Sequence, residues 1–226
     1  MFVIDKEVYN GPIYKYDDIK KYLKTGDIIL FTCQYFGSFF MELEYILRTK
    51  MLGSVYGHAG IVIKKNNGKI YIVEVSNYDH CGFEKAHYLN KFNRGGVRII
   101  NLETILKMYY KEYRGFFAVK FISQEIPYSK IMQKLKKYKN ITFKSTRSII
   151  TLALTDILIS HSLAEKISNS LSNNEMICTE FLYILLYDCN VLKHYPPKLF
   201  WPHLIETSIF DKLENIKYSA LYKFVI

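Results

Sequence analysis

Asn66-Asn67-Gly68 lies between two β-rich runs, residues 58–63 and 70–76, and constrains the fold more than any other segment. Asparagine and glycine tolerate the left-handed backbone that tight hairpin turns require. A three-residue loop with Gly68 in that conformation, as a G1 bulge, pairs Lys65 with Lys69. Counting outward, Gly60 faces Glu74 and His58 faces Ser76. His58 and Glu74 then share one sheet face as diagonal neighbours, within reach of long side chains. A two-residue Asn-Gly turn would shift the parity and put them on opposite faces.

Glu74 stands out in its strand. The run Ile70-Tyr71-Ile72-Val73-Glu74-Val75 is otherwise apolar, and a carboxylate is costly to bury unpaired. Its face is therefore solvated or holds a partner, and His58 is the nearest candidate. Glu74 would then orient the imidazole, with Asn77 and Asp79 as alternatives for that role. The plainer readings are an outward-facing Glu74 and a core histidine at a strand edge.

Downstream, Met176-Ile177-Cys178-Thr179-Glu180-Phe181-Leu182 places a thiol at the start of an apolar helix expected over Ile177–Tyr187. A cysteine attacks as thiolate, and with a free pKa of about 8.5 it needs an imidazolium or a helix N-terminus beside it. Ser172-x-x-Glu175 is a fair capping box that would start the helix earlier and move Cys178 into the second turn; a start near Ile177 is favoured. Cys178 as a small buried hydrophobe is the plain alternative.

Thiol, imidazole and carboxylate are the three groups of a thiol hydrolase. The backbone amides of Cys178 and Thr179 would donate to an oxyanion, and Gln34 is a further candidate donor. Cys33, after the strand Ile28–Phe31, is a rival nucleophile, but no helix starts immediately behind it. Cys81, His80 and His87 lack the paired second half of a zinc site. No metal or cofactor is expected.

The remaining chain reads as one α+β domain over residues 1–226. An N-terminal extension is expected over about 1–25, a helix over Ser38–Lys50, and strands at Ile28–Phe31, Val97–Ile100, Phe116–Ile122 and Tyr218–Ile226. A helix is expected near Leu102–Tyr110. Residues 127–174 form a helical insertion, with a lysine-studded helix from Pro127 to Tyr138 and a longer stretch over Arg147–Ser168. Half of the residues are hydrophobic, enough for a sizeable core, so four cysteines imply no disulfide framework.

The net charge of +10 is carried mostly by lysine and attracts anionic partners in general. The abundance of Lys, Ile, Asn and Tyr also follows from AT-rich coding. A solvated face is the plain reading of Lys130, Lys134, Lys136, Lys137 and Lys139, an anionic membrane or nucleic-acid contact the alternative. No segment interleaves aromatic and basic residues as a nucleic-acid groove reader does, so specific nucleic-acid binding is not expected. The N-terminus lacks a signal pattern, and Ile149–Ile159 is too short to span a bilayer. A cytoplasmic protein with reduced thiols is expected. Ile149–Leu163 is apolar enough for a core helix, or for a lid or lipid-facing helix over the site.

Gly26-Asp27-Ile28-Ile29-Leu30, His58-Ala59-Gly60-Ile61-Val62, Glu74 and Cys178-Thr179-Glu180-Phe181, in this order, resemble the circularly permuted NlpC-like cysteine hydrolases of the YiiX/YebB type. In ordinary NlpC enzymes the cysteine helix precedes the other motifs; here it follows them. Pro196-Pro197-x-Leu199-Phe200 is similar to the proline-led stretch after that helix. The resemblance spans about residues 25–205. Residues 127–174 have no counterpart in it, and Thr179 replaces the commoner serine.

The resemblance implies a permuted papain-like fold, with an antiparallel sheet packed against the cysteine helix. It implies Cys178 as nucleophile, His58 as base and Glu74 as orienting residue, acting on a peptide or acyl-amide substrate. Related permuted folds include lipid acyltransferases and thioesterases working at membranes. Similar domains occur in poxviruses and other large DNA viruses, where a silent structural or binding role is a third reading. If the source is viral, the host cytoplasm or virion is the expected location.

Overall fold

The computed structural model describes residues 12–32, 46, 49, 53–76, 87–89, 95–113, 116–170, 174–195 and 200–226. Strands β1 (Tyr14–Lys15), β2 (Ile28–Thr32), β3 (Tyr56–Lys64), β4 (Ile70–Ser76), β5 (His87–Tyr88), β6 (Gly96–Asn101), β7 (Phe117–Ile122) and β10 (Tyr218–Val225) form one sheet. Their order is β1-β10-β7-β2-β3-β4-β6-β5, antiparallel throughout except for β1 beside β10. A separate parallel pair joins β8 (Thr142–Phe143) to β9 (Glu175–Met176). The helices are α1 (Tyr16–Ile19), α2 (Leu102–Tyr113), α3 (Tyr128–Leu135), α4 (Thr146–Leu158), α5 (His161–Ser170), α6 (Cys178–Asp188), α7 (Pro202–Ile205) and α8 (Ser208–Leu213). The protein is thus α+β with a mostly antiparallel sheet.

The turn between β3 and β4 takes the three-residue form. Lys65 N–H donates to Lys69 O at 2.9 Å, Gly68 N–H donates to Lys65 O at 2.9 Å, and Gly68 has φ +79°. Lys64 pairs with Ile70 and Ile61 with Val73. This register puts Gly60 opposite Glu74 and His58 opposite Ser76, as the odd-numbered loop requires.

Side chains alternate across the sheet. Ile28, Leu30, Ala59, Ile61, Ile63, Val73 and Val75 face a core shared with Phe181, Leu182 and Leu185 of α6. Ile29, Phe31, Val62, Ile72 and Ile100 face a second core with Leu102, Leu106 and Tyr109 of α2. The cysteine helix therefore packs on one face of the sheet and α2 on the other. Among the described residues no helix is long and apolar enough to cross a membrane.

Two sequence-based expectations change, and a third holds. Residues 12–25 are part of the domain: Tyr14 pairs with Phe224, and Tyr16, Ile19 and Leu23 are buried in the second core. Their apolar residues are spaced as one face of a short helical turn, which is why they find the sheet. The helical stretch Arg147–Ser168 is two helices. Thr155 O accepts from both Ile159 N–H and Ser160 N–H, ending α4, and Ser160 Oγ accepts from Leu163 N–H, starting α5. The favoured start of the cysteine helix holds: it begins at Cys178 with Ile177 as N-cap, residues 175–176 being committed to β9. The helix expected over 38–50 lies outside the described residues save for isolated positions.

Candidate active site

β3, β4, β6 and α6 bring four chemical groups together. His58 Nε2 lies 2.8 Å from Glu74 Oε2. Cys178 stands beside the same imidazole, close enough for its sulfur to favour the charged ring. On the far side of Glu74, Arg98 Nε donates to Oε1 at 2.7 Å, and the guanidinium Nη2 contacts the same oxygen. Glu74 and Arg98 are direct cross-strand partners, and both are fully buried. The line runs Cys178, His58, Glu74, Arg98.

The imidazole is walled in. Its ring centroid lies 5.5 Å from that of Phe31 and 6.0 Å from that of Tyr109, the latter nearly parallel. Burial alone would disfavour its charged form. The Glu74 carboxylate and the Cys178 thiol outweigh that penalty and push His58 up to about 10. A base whose folded pKa is raised adds stability that is fully present below its unfolded pKa and is lost as pH rises through the folded one. Urea unfolding should therefore show stability falling as pH climbs from about 6.5 toward about 10. His58→Gln should flatten that slope; an unchanged slope in the variant contradicts the assignment.

Cys178 occupies the first position of α6, where amide groups have no partner within the helix and the dipole favours negative charge. The amides of Cys178 and Thr179 belong to this turn. Thr179 also donates its hydroxyl to Phe200 O, tying the helix start to the segment behind it. Glu180, at the third position, accepts from Ile177 N–H at 3.1 Å.

Glu180 is held in turn by Lys144, whose ammonium lies 3.0 Å from each carboxylate oxygen, with both side chains buried. Lys144 N–H donates to Met176 O at 3.0 Å. The segment carrying β8, α4 and α5 is thus pinned to the cysteine turn by a buried ion pair and the β8–β9 pair. Ile150, Leu152, Ala153 and Ala164 of α4 and α5 add apolar packing on Ile177 and Trp201, and Trp201 Nε1 donates to Asp156 Oδ2 at 2.9 Å. Lys144→Met removes the buried cation from the Glu180 carboxylate, which keeps its bond from Ile177 N–H. It should cost about 2–3 kcal/mol in urea unfolding; a change below about 0.5 kcal/mol would contradict a stabilising role for the pair.

Gln34, Cys33, His80, Cys81, Asn77 and Asp79 lie outside the described residues. His87 sits in β5, paired with Ile99. Among the described residues no three His, Cys, Asp or Glu side chains are grouped to hold a metal ion. Arg98, Lys144 and Glu180 escaped the sequence reading. A partner for a buried Glu74 was foreseeable, but the cross-strand position of Arg98 depends on the β4–β6 register, which no short turn announces.

No family model matches the chain. A curated relative, Uncharacterized protein R372 of Acanthamoeba polyphaga mimivirus, is 40% identical over 227 residues, covering 99% of this chain and 90% of that protein. The chain belongs to the R372 family. The match runs over nearly the full length of both proteins, residues 127–174 included.

Proposed function

We propose that this protein is a cysteine hydrolase of the permuted papain-like type, cleaving an amide bond through a thioester. The observation that carries the reading is the bridging position of His58, between the carboxylate of Glu74 and the thiol of Cys178 at a helix start. The chain order of the Gly26–Leu30, His58–Val62, Glu74 and Cys178–Phe181 segments, with the cysteine helix packed on the sheet, supports the permuted assignment. R372 being a mimivirus protein is compatible with a large-DNA-virus source.

In this mechanism the Cys178 proton resides on His58, and the sulfur attacks the carbonyl carbon. The oxyanion meets the amides of Cys178 and Thr179. Collapse expels the amine, which takes its proton from His58, and leaves a thioester. His58 then removes a proton from water; the hydroxide adds to the thioester, and the departing sulfur releases the acid. Glu74 keeps the imidazole oriented and its charged form stabilised throughout.

Incubation with an activated acyl anilide, followed by intact-protein and peptide mass spectrometry, tests the proposal. An acyl adduct confined to Cys178 that decays in water is the expected result. Release of aniline without any adduct or turnover dependence at Cys178 would sink it. Absence of reaction with amides would favour a binding role.

One observation favours an acyl-transfer variant at a membrane. Leu158, Ile159 and Leu163, at the tip of the α4–α5 hairpin, are 65%, 69% and 40% exposed. The same two helices pack on Ile177, next to Cys178, through Ile150, Leu152, Ala153 and Ala164. Cosedimentation with anionic vesicles that is lost in Leu158→Ser/Ile159→Ser, with acyl transfer from a phospholipid, would support this variant over amide cleavage.

A further inference from the structure

We infer that Arg98 is a positioning residue of the same site: it fixes the Glu74 carboxylate and offsets its charge, and so sets where His58 and Cys178 exchange their proton. The inference rests on the cysteine-hydrolase reading of Cys178 and His58.

Geometry comes first. A carboxylate held only by His58 could rotate about its last bond and meet the ring with either oxygen. Here the guanidinium places two nitrogens on Oε1, leaving Oε2 for His58 Nε2. The Arg98 and Glu74 side chains are both 0% exposed, so solvent does not loosen the arrangement. A planar fork approaches one oxygen from two atoms in a fixed orientation; an ammonium on a flexible stem does not.

Charge follows. An arginine is always protonated, and burying one is repaid only by a close, well-formed counter-ion. If Glu74 served His58 alone, nothing would require a second buried cation on its other oxygen. With Arg98 present, the carboxylate charge is shared between guanidinium and imidazole. The group of four then balances as two pairs, Arg98 with Glu74 and His58 with Cys178. Without Arg98, Glu74 would hold the His58 proton more tightly, and a cation that favours the thiolate would be gone. Both effects act in the same direction on a pH axis.

Arg98→Met and Arg98→Lys separate the two roles. The readouts are the pH of half-maximal iodoacetamide labelling of Cys178, resolved by peptide mass spectrometry, and the His58 imidazole titration by NMR. In Arg98→Met both midpoints should move upward, by about one pH unit for a single charge at this kind of separation. In Arg98→Lys the charge remains, so both midpoints should stay near wild type, while the labelling rate at neutral pH falls about tenfold because the carboxylate is no longer clamped. Midpoints of Arg98→Met that match wild type, with only the melting temperature lowered, would overturn the inference and make Arg98 purely structural. If Arg98→Met does not fold, a labelling rate in Arg98→Lys equal to wild type overturns the positioning role by itself. Failure of the underlying reading looks different: wild-type labelling would then be independent of His58, before any change at position 98.

Discussion

Alanine in place of Cys178 is expected to lower amide turnover by about 10³-fold or more while leaving the fold in place. Loss of the nucleophile removes the thioester route altogether, and the amides of the first turn alone give little rate. The fold survives because Cys178 contributes only one small, buried side chain at a helix end, and the turn is secured by Glu180, Thr179 and the packing of Phe181 and Leu182. Cys189, at the other end of the same helix, is the internal control. It is also buried, but burial pushes its thiol up to about 11, and Asp188 beside it opposes ionisation further while Lys130 and Lys134 only partly offset this. Cys189→Ala should therefore leave turnover unchanged. Steady-state hydrolysis of an amide substrate by the two variants, with circular dichroism to check folding, decides the matter. Equal activity in Cys178→Ala and wild type would remove Cys178 from the mechanism.

The largest stability effect should come from Glu74→Ala, about 3–5 kcal/mol in urea unfolding. Removing the carboxylate leaves Arg98 buried with its counter-ion gone and deprives His58 of the charge that offsets its burial. Glu74→Gln should cost less, because an amide oxygen still accepts from one of the two. The double change Glu74→Gln/Arg98→Met should recover much of the loss, since it removes the stranded cation along with its partner. Stabilities of the two single variants and the double that simply add would contradict a coupled pair.

The sequence carried the hairpin and its consequences well. Asn66-Asn67-Gly68 is a local signal whose backbone preference determines loop length, and loop length determines which residues share a face. His58 and Glu74 were therefore legible as a pair before any tertiary information. The start of the cysteine helix was legible too, though a competing capping pattern at Ser172 and Glu175 existed. That pattern loses because Glu175 and Met176 gain sheet bonds to Thr142 and Phe143, a contact between distant segments.

Long-range partners were not legible for the same reason. Lys144 is one lysine among many, and nothing local marks it as the buried partner of Glu180. Arg98 faces Glu74 only through the β4–β6 register. The short strand at Tyr14–Lys15 becomes visible only when the last strand, β10, offers an edge beside it. Splitting of the α4–α5 stretch depends on Ser160 capping a new helix, which a run of aliphatic residues around it conceals.

On the proposed mechanism His58 activates Cys178. The most direct test is the rate of iodoacetamide labelling of Cys178 against pH, by mass spectrometry, in wild type and His58→Ala. At about pH 6.5 the wild-type thiol should react at least about tenfold faster than in the variant, well below the range in which a free thiol of pKa about 8.5 becomes reactive. Slow labelling with an ordinary thiol profile, identical in both proteins, or faster labelling at Cys33, would contradict it.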